Sequence, residues 1–193
     1  KNQKKHLWEK SMKNENFGNF RNFRKNQISN VFIFAFFRKI QVVLEMIKFE
    51  HSVFALPFAL TGALLALQKN TLDSSQAWEK IAWITLAMIS ARSAAMALNR
   101  VVDADIDSRN PRTRMRAIPT KILAKSFVWG FIVFCLAAFV TSAAMLNPLC
   151  LKLAPLALAI MFGYSYTKRF TALSHLVLGL AIGIAPTAAW IAI

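Results

Sequence analysis

Acidic residues are scarce in this chain: nine Asp and Glu stand against 24 Lys and Arg, a formal net charge of +15 over 193 residues. Cysteine is scarcer still. Cys135 and Cys150 sit in apolar runs with no CxxC or Cys/His partner spacing, which argues against both a disulfide framework and a zinc site. His6, His51 and His175 are too widely separated to suggest a metal set, and no Ser/His or Cys/His arrangement points to nucleophilic catalysis. The apolar patch from Val31 to Phe37 runs into Arg38 and Lys39 instead of a small-residue cleavage site, so it lacks the form of a cleavable signal.

What the chain has in excess is apolar matter, at 56% hydrophobic residues and a mean hydropathy of +0.41. That is more than a soluble domain of this length usually buries, and it makes lipid the expected solvent. The positive charge falls in two polar zones, Lys1 to Lys48 and Arg100 to Lys125, separated by long uncharged stretches. Such a distribution fits basic cytoplasmic loops of a membrane protein better than a nucleic-acid groove.

Residues 1–38 are rich in Lys, Arg, Asn and Gln without a sustained period, as expected of a basic, disordered N-terminal arm. Residues 39–193 form the membrane part. Ile40, Val43, Leu44 and Ile47 recur at helical spacing opposite Lys39 and Gln41, which predicts a short amphipathic helix on the membrane surface. Five apolar segments follow, Phe49 to Leu67, Ile81 to Val101, Ile122 to Leu146, Pro148 to Tyr166 and Leu173 to Ile193. Each is near the roughly 20 residues that cross about 30 Å of hydrocarbon. The fold class expected is thus all-α, a polytopic transmembrane helix bundle. Asn147-Pro148 is so short a link that the third and fourth spans should form a tight antiparallel hairpin.

The charges of the loops orient the bundle. With the basic arm in the cytoplasm, the loop holding Lys69, Asp73, Glu79 and Lys80 falls outside and its charges cancel. The arginine-rich loop from Arg100 to Lys121 then falls inside, as does Lys168-Arg169, in accord with the positive-inside rule. The expected location is the cell's inner (plasma) membrane, with the basic loops in the cytoplasm.

Three of the few acids fall together, in Asn99-Arg100-Val101-Val102-Asp103-Ala104-Asp105-Ile106-Asp107. If the second span stays helical to about Asp107, then Asn99, Asp103 and Asp107 share one face, with about 6 Å of rise between neighbours, and Asp105 points away. Two carboxylates and an amide so placed suit Mg²⁺, which is normally held by one or two carboxylates, waters and substrate phosphates. Arg109, Arg112, Arg114 and Arg116 follow, broken by Asn110-Pro111, which should end the helix and turn the chain. Guanidinium groups suit phosphate oxygens, so metal-binding acids beside arginines describe a diphosphate cradle. Asp103-x-Asp105-x-Asp107 is no calcium loop, because Ser108 stands where the turn glycine belongs and Arg114 where the bidentate Glu belongs. Arg92 lies seven residues before Asn99, on nearly the same face and about 10 Å deeper, where it could clamp a substrate carboxylate. Lys48 and His51, at the start of the first span, either reach the same chamber or only snorkel.

These residues resemble the UbiA superfamily of intramembrane aromatic prenyltransferases. The resemblance is carried by Asn99 to Asp107 with Asn110-Pro111-Arg112-Thr113-Arg114, by Lys48-Phe49-Glu50-His51-Ser52 through Ala55-Leu56-Pro57-Phe58-Ala59-Leu60, and by Tyr164-Ser165-Tyr166-Thr167-Lys168-Arg169-Phe170. It implies a nine-span bundle, about five spans of which lie in this chain, with a cavity facing the cytoplasm. By position, Asn99, Asp103 and Asp107 correspond to the family's first Asp-rich motif, which binds Mg²⁺ and diphosphate. Lys168 falls in its tyrosine-rich motif, where a diphosphate contact is plausible. The implied partners are a polyprenyl diphosphate, an aromatic acid acceptor and the bilayer, without nucleic acid.

The activity implied is transfer of a polyprenyl group to a 4-hydroxybenzoate-like or dihydroxynaphthoate acceptor in ubiquinone or menaquinone biosynthesis, a branch that the segment from Lys48 to Leu60 and Arg92 resemble more than haem or chlorophyll prenylation. The family's second Asp-rich motif lies beyond the end of this chain, so the 193 residues are expected to be inactive by themselves. A cation transporter is the rival reading, but it would place carboxylates near the bilayer midplane beside broken helices. An alcohol phosphotransferase would need an Asp-Gly pairing that is missing from this acidic motif.

Overall fold

The computed structural model describes residues 37–70, 72–167 and 174–193. The expected disordered arm of residues 1–36 and the expected contact of Lys168 lie outside the described residues. The chain divides into two compact units, Lys1–Val43 and Leu44–Ile193.

The described residues are helical and contain no strand. Helix α1 is described over residues 37–46, and α2 (Phe49–Leu67), α3 (Ser74–Arg109), α4 (Lys125–Leu146), α5 (Pro148–Thr167) and α6 (Ser174–Ala192) fall one on each of the five apolar segments, with α3 extending beyond its segment at both ends. Among the described residues, α3, α4 and α5 are long and apolar enough to cross a membrane, whereas α2 and α6 carry shorter apolar stretches, Leu56–Leu67 and Gly179–Ala192. Around α1, Val43, Met46 and Ile47 are buried while Ile40 and Leu44 are exposed. The helix expected near Ile40 to Ile47 is thus present over residues 37–46.

Lys48 separates α1 from α2 by adopting the left-handed conformation (φ 53°, ψ 56°), which costs a side-chain-bearing residue about 1 kcal/mol. Short links force neighbours to run antiparallel. Within the larger unit, α3 packs most extensively on α4, and α6 packs on both α2 and α5. The contacts use small side chains: Ala59 and Ala63 of α2 form a buried cluster with Ile84 of α3 and Ala189 and Ala192 of α6. Helices in lipid associate through such close backbone approach, since apolar burial alone gives them no advantage over acyl chains. Large apolar groups such as Phe134, Leu156 and Leu176 face outward, as lipid-exposed positions should.

The α4–α5 hairpin is closed by one residue that serves three helices. Asn147 ends α4, its Oδ1 accepts a hydrogen bond from the Cys150 amide at 2.7 Å, and its Nδ2 donates to the Ile191 carbonyl near the end of α6 at 2.7 Å. Pro148 occupies the first position of α5, where no amide hydrogen is needed. Lys80 donates to the carbonyls of Ala192 and Ile193, both at 2.9 Å. Asn147→Ala leaves an amide and a carbonyl unsatisfied at a part-buried position. It is expected to cost about 1–3 kcal/mol, read as a lower thermal midpoint in detergent. The expected tight hairpin at Asn147-Pro148 is therefore present and pinned to α6.

Candidate functional site

At the opposite end of the bundle lie the start of α2, the end of α3, the 110–124 loop and the start of α4. Helix α3 has 36 residues, roughly 20 Å more than is needed to cross the hydrocarbon. Its last turns therefore project beyond the apolar slab and carry the acidic cluster with them. The helix runs through Asn99, Asp103 and Asp107 to Arg109, so the shared face expected from their spacing forms.

Asn110, the residue before Pro111, ends the helix as expected. The Asn110 amide donates to the Asp107 carbonyl, the Asn110 side chain accepts from the Arg112 amide at 3.0 Å, and its carbonyl accepts from the amides of Thr113 and Arg114. Thr113 Oγ1 also donates to the Asp107 carbonyl, at 3.1 Å. These bonds fold the chain back along the helix end, with Ile118 and Leu123 buried beneath the loop. Lys121 takes the second left-handed conformation, φ 59°.

The turn returns Arg116 to Asp107. Asp107 is buried, alone among the described acidic residues, and Arg116 Nη1 donates to both of its carboxylate oxygens, at 2.8 and 2.7 Å. Asn99 and Asp103 are half-buried on the same face. Asp105 is exposed, points away as expected, and accepts from Lys125 at 2.9 Å. Of the arginines expected to flank the acids, Arg116 is brought onto Asp107, and Arg109 lies within electrostatic range of Asp105. Arg109, Arg112 and Arg114 are exposed.

Arg100 was legible only as a member of the motif, and the structure gives it a place. Its side chain is half-buried, its Nε donates to the Met46 carbonyl at 3.3 Å, and it lies within electrostatic range of Arg116, Asp107 and Asp103. It thereby ties the chain just before α2 to the acidic end of α3. Deeper on α3, the Arg92 Nε is buried and has no hydrogen-bond partner. Ser165 Oγ, close to the end of α5 on the same side of the bundle, is likewise buried without a partner, a feature that the spacing of its neighbours did not reveal. Lys48 is exposed at the start of α2.

Among the described residues no three His, Cys, Asp or Glu side chains gather to hold a metal. Two carboxylates and an amide are a partial set of hard oxygen donors, which fits an Mg²⁺ that completes its shell with water and phosphate oxygens. A cavity of about 300 Å³ lined by Gln76, Glu79, Lys80 and Trp83 lies elsewhere, roughly 30 Å along α3 from Asn99.

The fold and site define a helical integral membrane protein that presents two carboxylates, an amide and an arginine at one helix end. Residues 55–193 match the UbiA prenyltransferase family, to which the chain belongs. It is 33% identical over 116 residues to the 4-hydroxybenzoate octaprenyltransferase of Vibrio parahaemolyticus, covering 60% of this chain and 40% of that protein. It is 34% identical over 156 residues to protoheme IX farnesyltransferase 1 of Pseudomonas paraeruginosa, covering 78% of this chain and 50% of that one. A UbiA homologue from Aeropyrum pernix, solved in its apo form, superposes with a TM-score of 0.67 at 35% identity, over 74% of this chain and 50% of its own. The chain thus spans about half or less of the length of these relatives.

Proposed function

We propose that the full-length protein transfers a prenyl group from a prenyl diphosphate to an aromatic acceptor. The observation that carries this reading is the folded end of α3, where Asn99, Asp103 and the buried Asp107 share a face and Arg116 is drawn back onto them. In the reaction the allylic carbon–oxygen bond breaks, a carbon–carbon bond forms to the aromatic ring, a ring proton leaves, and diphosphate departs.

Asn99, Asp103 and Asp107 are the residues that would hold Mg²⁺, whose charge offsets that of the departing diphosphate. Arg116, with Arg112, Lys48 and Lys168, is assigned to the phosphate oxygens. Arg92 is assigned to the acceptor: a buried guanidinium nitrogen without a partner is costly, and a carboxylate is the group that satisfies it best. The acceptor we favour is an aromatic acid, 4-hydroxybenzoate-like or dihydroxynaphthoate, in ubiquinone or menaquinone biosynthesis. We place the protein in the plasma membrane with this site facing the cytoplasm, the side to which its arginine-rich loop assigns it.

Protohaem is the second acceptor to be tested, because the match to a protoheme farnesyltransferase covers more of this chain than the match to a benzoate enzyme. The test offers 4-hydroxybenzoate, dihydroxynaphthoate and protohaem to the purified full-length protein with radiolabelled prenyl diphosphate. Labelled benzoate or naphthoate product supports the reading; transfer to protohaem alone overturns the aromatic-acid assignment, and no transfer to any acceptor overturns the enzyme class. In the same assay Arg92→Gln is expected to raise the acceptor KM about 10- to 100-fold and to leave the diphosphate KM unchanged.

A further inference from the structure

The Arg116–Asp107 pair has an unusual form. A guanidinium normally meets a carboxylate as a fork, two nitrogens on two oxygens. Here the one nitrogen, Nη1, sits 2.8 and 2.7 Å from the two oxygens of Asp107. A single cationic centre astride both oxygens is where a chelated metal ion would sit.

The surroundings of Arg116 differ from those of its partner. Asp107 is buried and its carbonyl is held by two hydrogen bonds, from the Asn110 amide and Thr113 Oγ1. The Arg116 backbone is also fixed, since its amide donates to the Thr113 carbonyl and its own carbonyl accepts from the Thr120 amide and, at 2.8 Å, from Thr120 Oγ1. Its side chain, in contrast, is 38% exposed. Arg116 can therefore swing on an anchored backbone without opening a core, whereas Asp107 cannot follow it.

We propose that Arg116 is a placeholder cation, a positioning residue that occupies Asp107 in the ligand-free protein and is handed over to a diphosphate oxygen as a divalent cation takes its place. The inference rests on the reading of Asp107 as a metal ligand. Burying a carboxylate without a counter-charge is costly, so a ligand-free Asp107 needs a cation to stay folded in place. The same contact makes a metal ion arriving alone compete with a guanidinium. A diphosphate removes that competitor by attracting it, so metal and diphosphate enter with positive coupling, and the metal alone binds weakly.

The test measures Mn²⁺ binding by electron paramagnetic resonance and inorganic pyrophosphate binding by calorimetry, separately, on the full-length protein in detergent. Arg116→Gln is expected to bind Mn²⁺ alone about tenfold more tightly than the wild type while binding pyrophosphate more weakly. A residue that only contacts phosphate would leave the Mn²⁺ affinity unchanged, and one that only supports the fold would weaken both; either result overturns the proposal.

Asp107→Asn supplies a second reading if the glutamine variant does not fold. Releasing Arg116 should tighten metal-free pyrophosphate binding beyond the gain in Asp105→Asn, which removes a charge from the same helix end where the partner is Lys125. Equal gains in the two variants overturn the proposal. If Mn²⁺ with pyrophosphate binds the wild type but Arg116→Gln does not tighten Mn²⁺, the handover fails and the site stands. If the wild type binds neither, the site reading fails and the handover with it.

Discussion

Replacing Asp107 with asparagine in the full-length protein is expected to lower prenyl transfer by about 10³-fold or more, the scale at which loss of one group that stabilises developing charge is felt. Asparagine keeps the shape of the side chain, and the released Arg116, whose side chain is partly exposed, can be taken up by water, so the loss should come without the unfolding that alanine risks. Breaking a buried ion pair outright costs about 3–5 kcal/mol, because the remaining charge is left uncompensated. Asp105→Asn is the matched comparison. It removes an acid two residues away that is exposed and paired only with Lys125 in solvent, and its effect on transfer should be small. Radiolabel transfer and the thermal midpoint, measured on both variants, separate the two cases. Near-normal turnover in Asp107→Asn would remove Asp107 from the site.

The second large effect is expected far from the acids, where α2 crosses α6. A Cβ added at Gly62 would be driven onto the carbonyl oxygen of Pro186 and would lie 2.9 Å from its carbonyl carbon and Cα. These are backbone atoms of a helix, so no side chain can rotate aside to make room. The two helices would have to separate, and with them the buried contacts of Ala59, Ala63 and Ala189. Gly62→Ala is expected to destabilise by about 1–3 kcal/mol, the usual penalty for forcing a methyl group into a filled space. In a domain of this size each kcal/mol lowers the thermal midpoint by roughly 2–4 °C. Gly163→Ala provides the contrast, since nothing lies within 4 Å of the added methyl and alanine favours the helix. An unchanged midpoint in Gly62→Ala would show that α2 and α6 do not meet at this point.

Much of the architecture was legible because it follows from local rules. Apolar length set the positions of the helices, and Phe49–Leu67 begins and ends where the apolar run does. The expected spans at Ile81 and Ile122 missed their helix ends for different reasons. Helix α3 starts at Ser74 and continues to Arg109, because polar residues outside the hydrocarbon remain good helix formers and hydropathy does not register them. Helix α4 starts at Lys125, since Ile122 and Leu123 are spent on the loop, with Leu123 buried under it.

The candidate site divides in the same way. The common face of Asn99, Asp103 and Asp107, the outward direction of Asp105 and the break at Asn110-Pro111 all follow from 3.6 residues per turn and from the restriction that proline places on its predecessor. Which arginine returns to the acids does not. Arg109, Arg112, Arg114 and Arg116 are equivalent as a composition, and it is the hydrogen bonds of Asn110 and Thr113 that bring Arg116 back onto Asp107. The anchoring of Arg100 to Met46, the unpartnered nitrogen of Arg92 and the three-helix role of Asn147 likewise depend on residues distant in sequence. Sequence by itself determined that this is a helical membrane protein with two carboxylates and an amide on one face at one helix end, because hydropathy and helical period act over a few residues. Only the tertiary structure decided which cation sits on Asp107, because that depends on the path of a loop whose turns are fixed by directed hydrogen bonds.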